Sequence, residues 1–270
     1  MATNDYDIAN LALARLGQGQ ITSLGQAGRD AEVCNLFYSQ NRDYCLGASD
    51  WVAVTSKVHM ARAGKVSISK ATAAEPVVLT CTGHLFVTGD LVTVEDALGM
   101  TQLNDGVYVV NAYTSITIAL YTTEGAKTSG TLYSAYTSQG YAYRHPGNDW
   151  GYVYDLPSSC LRVLGVLSEV LGESESYTWK REKDLLYCDV DYAAVKYLAQ
   201  QTDVSKFDED LVELMAARLA WLVCPRISND QTLRGTLNNE WMAILGRGQM
   251  TNAEGSQNDG IGESLWINAR

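Results

Sequence analysis

Apolar residues recur at helical spacing near both ends of the chain and alternate through its middle. Ile8, Leu11, Ala12 and Leu16 return every three or four positions, with Thr3 placed to cap the helix and Gly17 to stop it. A second helix is predicted over 29–46, with Val33, Leu36, Phe37 and Tyr44 along one side and Gly47 closing it. Residues 18–28, which include Gly19, Gly25 and Gly28, read as the loop between the two. Residues 51–60 then alternate as a strand does.

From Ser69 to Tyr136 the chain turns to Thr, Val, Tyr and Gly. Residues 77–79, 91–94, 106–110 and 116–120 read as four short strands, separated by turn signals such as Asn104-Asp105-Gly106. Strands so closely spaced predict a compact antiparallel sandwich or barrel. Tyr141, Tyr143, Trp150, Tyr152 and Tyr154 alternate like a strand pair, and 161–166 and 183–188 read as further strands. Residues 191–200 are expected as a short helix with Ala194, Val195 and Leu198 inward. Ser205 and Asp208 suggest a capping box before an amphipathic helix carrying Leu211, Leu214, Met215 and Leu219, broken at Cys224-Pro225. A last helix places Leu233, Leu237, Trp241 and Ile244 on one stripe. The polar tail beyond Gly246 holds a late apolar cluster, Ile261, Leu265 and Trp266.

The expected fold class is therefore α+β: a mainly α-helical domain with a small antiparallel sheet, interrupted by an inserted all-β sandwich or barrel module. Its divisions fall at 1–69, 70–136, 137–246 and 247–270, the last a flexible docking tail.

Composition narrows the function. At 46% hydrophobic the chain can bury a sizeable core, which excludes intrinsic disorder. A net charge of -11 argues against a protein that grips nucleic acid phosphates, while leaving room for DNA to pass without being held. No apolar run reaches the length of a membrane span, and the first ten residues lack the basic start of a secretory signal. Six cysteines, scattered singly, fit buried reduced thiols better than a disulfide framework.

The chemistry-bearing residues give little sign of catalysis. His59, His84 and His145 stand far apart, without metal-ligand spacing. Asp189 and Asp191 could share a cation as a DxD pair, but the favoured reading is that they open the predicted helix at Tyr192. Asp208, Glu209 and Asp210 have the same explanation. The 16 tyrosines could line a sugar-binding face, although strand tyrosines more often pack against their neighbours. No metal, cofactor or catalytic residue is assigned.

Several phrases, taken in order, resemble the head-to-tail adaptor (tail tubular protein A-like) family of short-tailed bacteriophages. They run from Asn10-Leu11-Ala12-Leu13-Ala14-Arg15-Leu16-Gly17 and Ile21-Thr22-Ser23-Leu24 to Tyr152-Val153-Tyr154-Asp155-Leu156-Pro157. Leu186-Tyr187-Cys188-Asp189 and Ala216-Ala217-Arg218-Leu219-Ala220 before Cys224-Pro225 continue the likeness. It covers 1–60 and 141–255. The stretch between, with Gly89-Asp90-Leu91-Val92-Thr93-Val94 and Gly99-Met100-Thr101-Gln102-Leu103-Asn104-Asp105-Gly106, is similar to a β-barrel module first named in ubiquitin-activating enzymes. The enzymes' adenylation machinery is absent from the chain.

The resemblance implies a non-enzymatic structural protein of the virion neck, assembled in the host cytoplasm. Its members form a ring, usually of twelve copies, that joins the portal protein to the tail nozzle and continues the DNA channel during genome ejection. Leu211, Leu214, Met215, Leu219, Leu233, Leu237 and Trp241 are then the expected subunit-interface positions, and Ile261, Leu265 and Trp266 the portal anchors. The β module would face outward, toward a tail fibre or another tail part. A carbohydrate-binding or glycosidase component acting on the host envelope is the alternative.

Overall fold

The structure, a computed structural model, describes residues 4–112, 114–147, 149–168 and 177–256. It contains four helices and thirteen strands in three antiparallel sheets, and only 33% of it is helical. The expectation of a mainly α-helical chain is therefore corrected: the chain is β-rich, with its helices confined to one third of it.

Two compact units are present. One comprises residues 1–57, 159–164 and 196–270, the other 58–158 and 165–195.

The first unit is organised around a central helix. Its helices are α1 (Asp5–Arg15), α2 (Arg29–Gly47), α3 (Glu209–Ile227) and α4 (Gln231–Ser256), and α1, α2 and α4 all pack on α3. Asn4, rather than Thr3, caps α1 through a reciprocal capping box with Asp7. Asn10 of α1 clasps the following loop, accepting from the Ile21 amide at 2.8 Å and donating to its carbonyl at 2.9 Å. Asp208 stands at the N-cap of α3, while Ser205 lies in a preceding 3-10 turn whose amide is capped by Asp203, so the expected box is not formed. Pro225 does not break α3. It sits in the last turn, where it forfeits a single backbone hydrogen bond, and the helix ends only at Ser228, before Asn229 turns left-handed. Helix α4 continues past Gly246 to Ser256. Gly248 has a packing role inside the helix: an added Cβ would lie 2.8 Å from the ring of buried Trp51, so glycine is what admits the indole against the helix.

Most of the second unit is a seven-stranded sheet. Its strands are β2 (Val66–Ser67), β3 (Lys70–Ala71), β4 (Val78–Thr80), β5 (Leu91–Glu95), β6 (Val107–Ala112), β7 (Thr117–Tyr121) and β8 (Tyr141–Arg144), ordered β2-β8-β5-β6-β7-β4-β3. The two edges meet in one stretch of chain. Val66 and Ser67 pair with β8, Ile68 donates to the Gly140 carbonyl, and Ser69 through Ala71 then pair with β4. The sheet so closes into a barrel with no long free edge. Alternation in β5 puts Val92 and Val94 into an interior shared with Leu79, Met100, Leu103, Val110, Ile118 and Leu120. Gly99 (φ +84°) is needed at the turn closing this core, because a Cβ would meet the Ala135 carbonyl oxygen at 2.2 Å.

β9 (Tyr152–Asp155), β11 (Trp179–Glu182) and β12 (Leu185–Cys188) form a second sheet, ordered β11-β12-β9. Tyrosines of 141–154 consequently belong to two sheets rather than to one hairpin. A third sheet is made of β1 (Thr55–His59), β10 (Cys160–Ser168) and β13 (Ala193–Ala199), with β13 central. The helix expected over 191–200 is strand β13. Its residues are buried on both faces, so alternation vanishes and the apolar run imitates a helix.

Candidate functional site

In the second unit the side chains converge on Arg62, which follows β1. Its guanidinium donates to Glu95 of β5 at 2.7 Å and to Asp191, in the turn before β13, at 3.1 Å. The same group lies over the rings of Tyr143 of β8, 5.1 Å from its centroid, and Tyr152 of β9, at 4.8 Å. Burial works against the Arg62 cation, and the two carboxylates outweigh it, so its pKa is raised. The Tyr143 hydroxyl donates to Glu95, and burial with that acceptor pushes its pKa well above the ordinary value. Arg144 pairs with Asp90 at 3.1 Å.

Beside this cluster is a cavity of about 300 Å³, lined also by Asp105, His145 and Gly151. His145 accepts at Nδ1 from the Gly147 amide at 3.1 Å, and burial lowers its pKa, which keeps the ring neutral near pH 7. The cavity can hold a small polar molecule. Its arginines, however, are already matched by carboxylates, and both tyrosine rings are already stacked.

The first unit has a larger cleft, about 880 Å³, between α1, α3 and the loop at Ile21. Asp7, Glu209, Asp210 and Glu213 stand on its walls with Leu11 and Ile21, and Arg15 is the one basic residue among those lining it. Arg15 is engaged by Glu240 at 2.9 Å, and Arg247 of α4 reaches Glu213 and Asp210 at 2.5 and 3.9 Å. The cleft is thus acidic with an apolar floor.

The chain matches no family model and no curated protein.

The residues singled out from sequence fall as follows. Leu211, Leu214, Met215, Leu219, Leu237 and Trp241 are buried in the first unit's own core, and Leu233 packs against it. Their apolar faces are used within the chain and are not free to meet a second copy. Ile261, Leu265 and Trp266 lie outside the described residues. The DxD pair is separated by its partners: Asp191 binds Arg62, whereas Asp189 accepts from the Gly151 amide at 2.8 Å. With no helix at Tyr192 there is also no helix start for them to cap. Tyr192 instead turns left-handed (φ +53°), its amide held by the Asp191 carboxylate at 3.0 Å. Among the described residues His59, His84 and His145 belong to no metal-holding group of side chains; His84 contacts the Thr114 carbonyl at 3.0 Å. All six cysteines are free and buried, and burial raises the Cys34 thiol to about 11 and Cys81 to about 12. Among the described residues no helix is long and apolar enough to cross a membrane. Sequence reading missed the Arg62 cluster, since its members come from five separate segments and no local spacing joins them.

Proposed function

We propose that this chain is a head-to-tail adaptor of a short-tailed bacteriophage: a non-enzymatic virion protein that forms a twelvefold ring beneath the portal and carries the DNA channel to the tail nozzle. The observation that carries the reading is the construction of the helical unit. Both ends of the chain build it, α1 and α2 from the first 57 residues and α3 and α4 from residues after 196, around one long excursion into β structure. That is the element order on which the family resemblance rests. An acidic surface suits a conduit, because it repels the phosphates of a duplex that must slide.

The test is binding to the cognate portal ring. The chain should co-elute with the portal, and removal of residues 260–270, which carry Ile261, Leu265 and Trp266, should abolish co-elution. A chain that leaves the portal untouched rules the adaptor out; a truncated chain that still binds rules out the tail as anchor.

The carbohydrate reading has one observation in its favour, the cavity bordered by Tyr143, Tyr152, Glu95 and Asp105. Against it stands Arg62, which already covers both rings.

A further inference from the structure

Four arginines of the helical unit have no carboxylate partner among the described residues, in a chain where 31 acidic residues face 20 basic ones: Arg29, Arg218, Arg226 and Arg234. Three of them are stacked on aromatic rings. Arg218 lies 3.6 Å from the Tyr44 centroid and 5.8 Å from that of Trp241. Arg226 lies over Phe37 at 5.6 Å, and Arg234 over Trp221 at 5.4 Å. Trp221 and Trp241 are themselves 6.0 Å apart, so α2, α3 and α4 share one basic and aromatic face. Arg29 joins it by donating to the Arg226 carbonyl. The Nε atoms of Arg218 and Arg234 are buried without an acceptor.

A half-buried guanidinium without a counter-charge is costly. Ring stacking offsets part of that cost. A carboxylate arriving from outside would supply the rest, with the bidentate geometry that arginine favours. The acidic cleft between α1 and α3 has the complementary composition. Glu209 there has no cation within salt-bridge reach among the described residues, and Leu11 is 44% exposed beside it. At about 100° per residue, Glu209 and Glu213 point to a different side of α3 from Arg218 and Trp221. One copy therefore cannot satisfy its own two faces.

We propose that the arginine–aromatic face of α2, α3 and α4 docks into the acidic α1–α3 cleft of a second copy of this chain. Joining two different faces makes a head-to-tail contact, which closes into a ring when the rotation permits. This deepens the ring reading above and rests on it. Nucleic acid is the less suitable occupant: the rings already carry guanidinium groups, so they offer no stacking platform to bases, and the net charge of -11 opposes it.

The test is charge exchange, read as mass in solution with and without the portal. Arg226→Glu with Arg234→Glu reverses one face, and Glu209→Lys with Glu213→Lys the other. Each double variant alone should lose self-association by roughly 10–100-fold. Circular dichroism checks that each is folded. Mixing the two should restore association, because each then offers the other a matched face, and added salt should weaken it. Folded variants that assemble like the unaltered chain, or that fail to rescue one another, overturn the contact. An arginine variant that loses only the binding of a fluorescent oligonucleotide would also overturn it, in favour of nucleic acid. Portal binding without charge dependence leaves the adaptor reading standing and removes this contact; charge-dependent rings that ignore the portal do the reverse.

Discussion

Asn41 has no exposed surface, yet both the nitrogen and the oxygen of its amide are engaged. Its Nδ2 donates to the Met215 carbonyl at 2.9 Å, and its Oδ1 accepts from Arg218 at 2.9 Å. Removing that oxygen strips the buried part of the Arg218 guanidinium of its acceptor. Asn41→Ala should cost about 2–3 kcal/mol in urea unfolding, and a loss below about 0.5 kcal/mol would show that the network is idle. His145 sets a pH dependence at the same scale. Burial holds its folded pKa below the ordinary 6.5, so the unfolded chain binds the proton more readily. Stability from this residue is complete above pH 6.5 and falls as pH drops toward the lowered folded value. The unfolding midpoint, followed between pH 5 and 7.5, should decline on the acid side, and His145→Gln should flatten that decline. Neither residue announces itself in the sequence. One asparagine in a helix and one histidine after a strand look the same whether buried or wet.

At the scale of elements, legibility tracks exposure. The strands β4 to β6 are readable because each keeps one face in the barrel and the other outside, which writes a period of two into the chain, whereas β7 buries Ile118, Ala119 and Leu120 in a row and is legible only through its β-branched residues and flanking turns. Central β13, covered on both faces, carries no such period, and its Ala194, Val195 and Leu198 passed for a helical stripe. The end of α4 misled for another reason. Gly246 and Gly248 look like stop signals, whereas Gly248 is there to let Trp51 approach. This gives a test whose sign separates two effects. On helix propensity alone, Gly248→Ala should stabilise α4 by about 1 kcal/mol. The contact with Trp51 predicts the opposite, a loss of about 1–3 kcal/mol by overpacking, read as a lower denaturation midpoint. A gain in stability would show that the glycine is not a packing device.

For the molecule as a whole, the helical unit and its β interruption were legible from the order of amphipathic segments, but the balance between them was not. Strands β2, β3 and β11 are only two to four residues long and carry no periodicity to read, and β13 imitates a helix, so the β share of the chain is larger than its pattern suggests. The arginine face is likewise invisible in the sequence, because Arg218 and Arg226 acquire meaning only when α2 and α4 bring Tyr44, Phe37 and Trp241 beside them, and Arg234 only when α4 is laid against Trp221 of α3. Both features bear on assembly, and assembly is where the account stands or falls. The most direct test is the mass of the purified chain in solution, measured alone and after mixing with its cognate portal ring. The account predicts that the portal gains a full ring of added copies. A portal whose mass is unchanged, across concentrations at which both components stay folded, would contradict it.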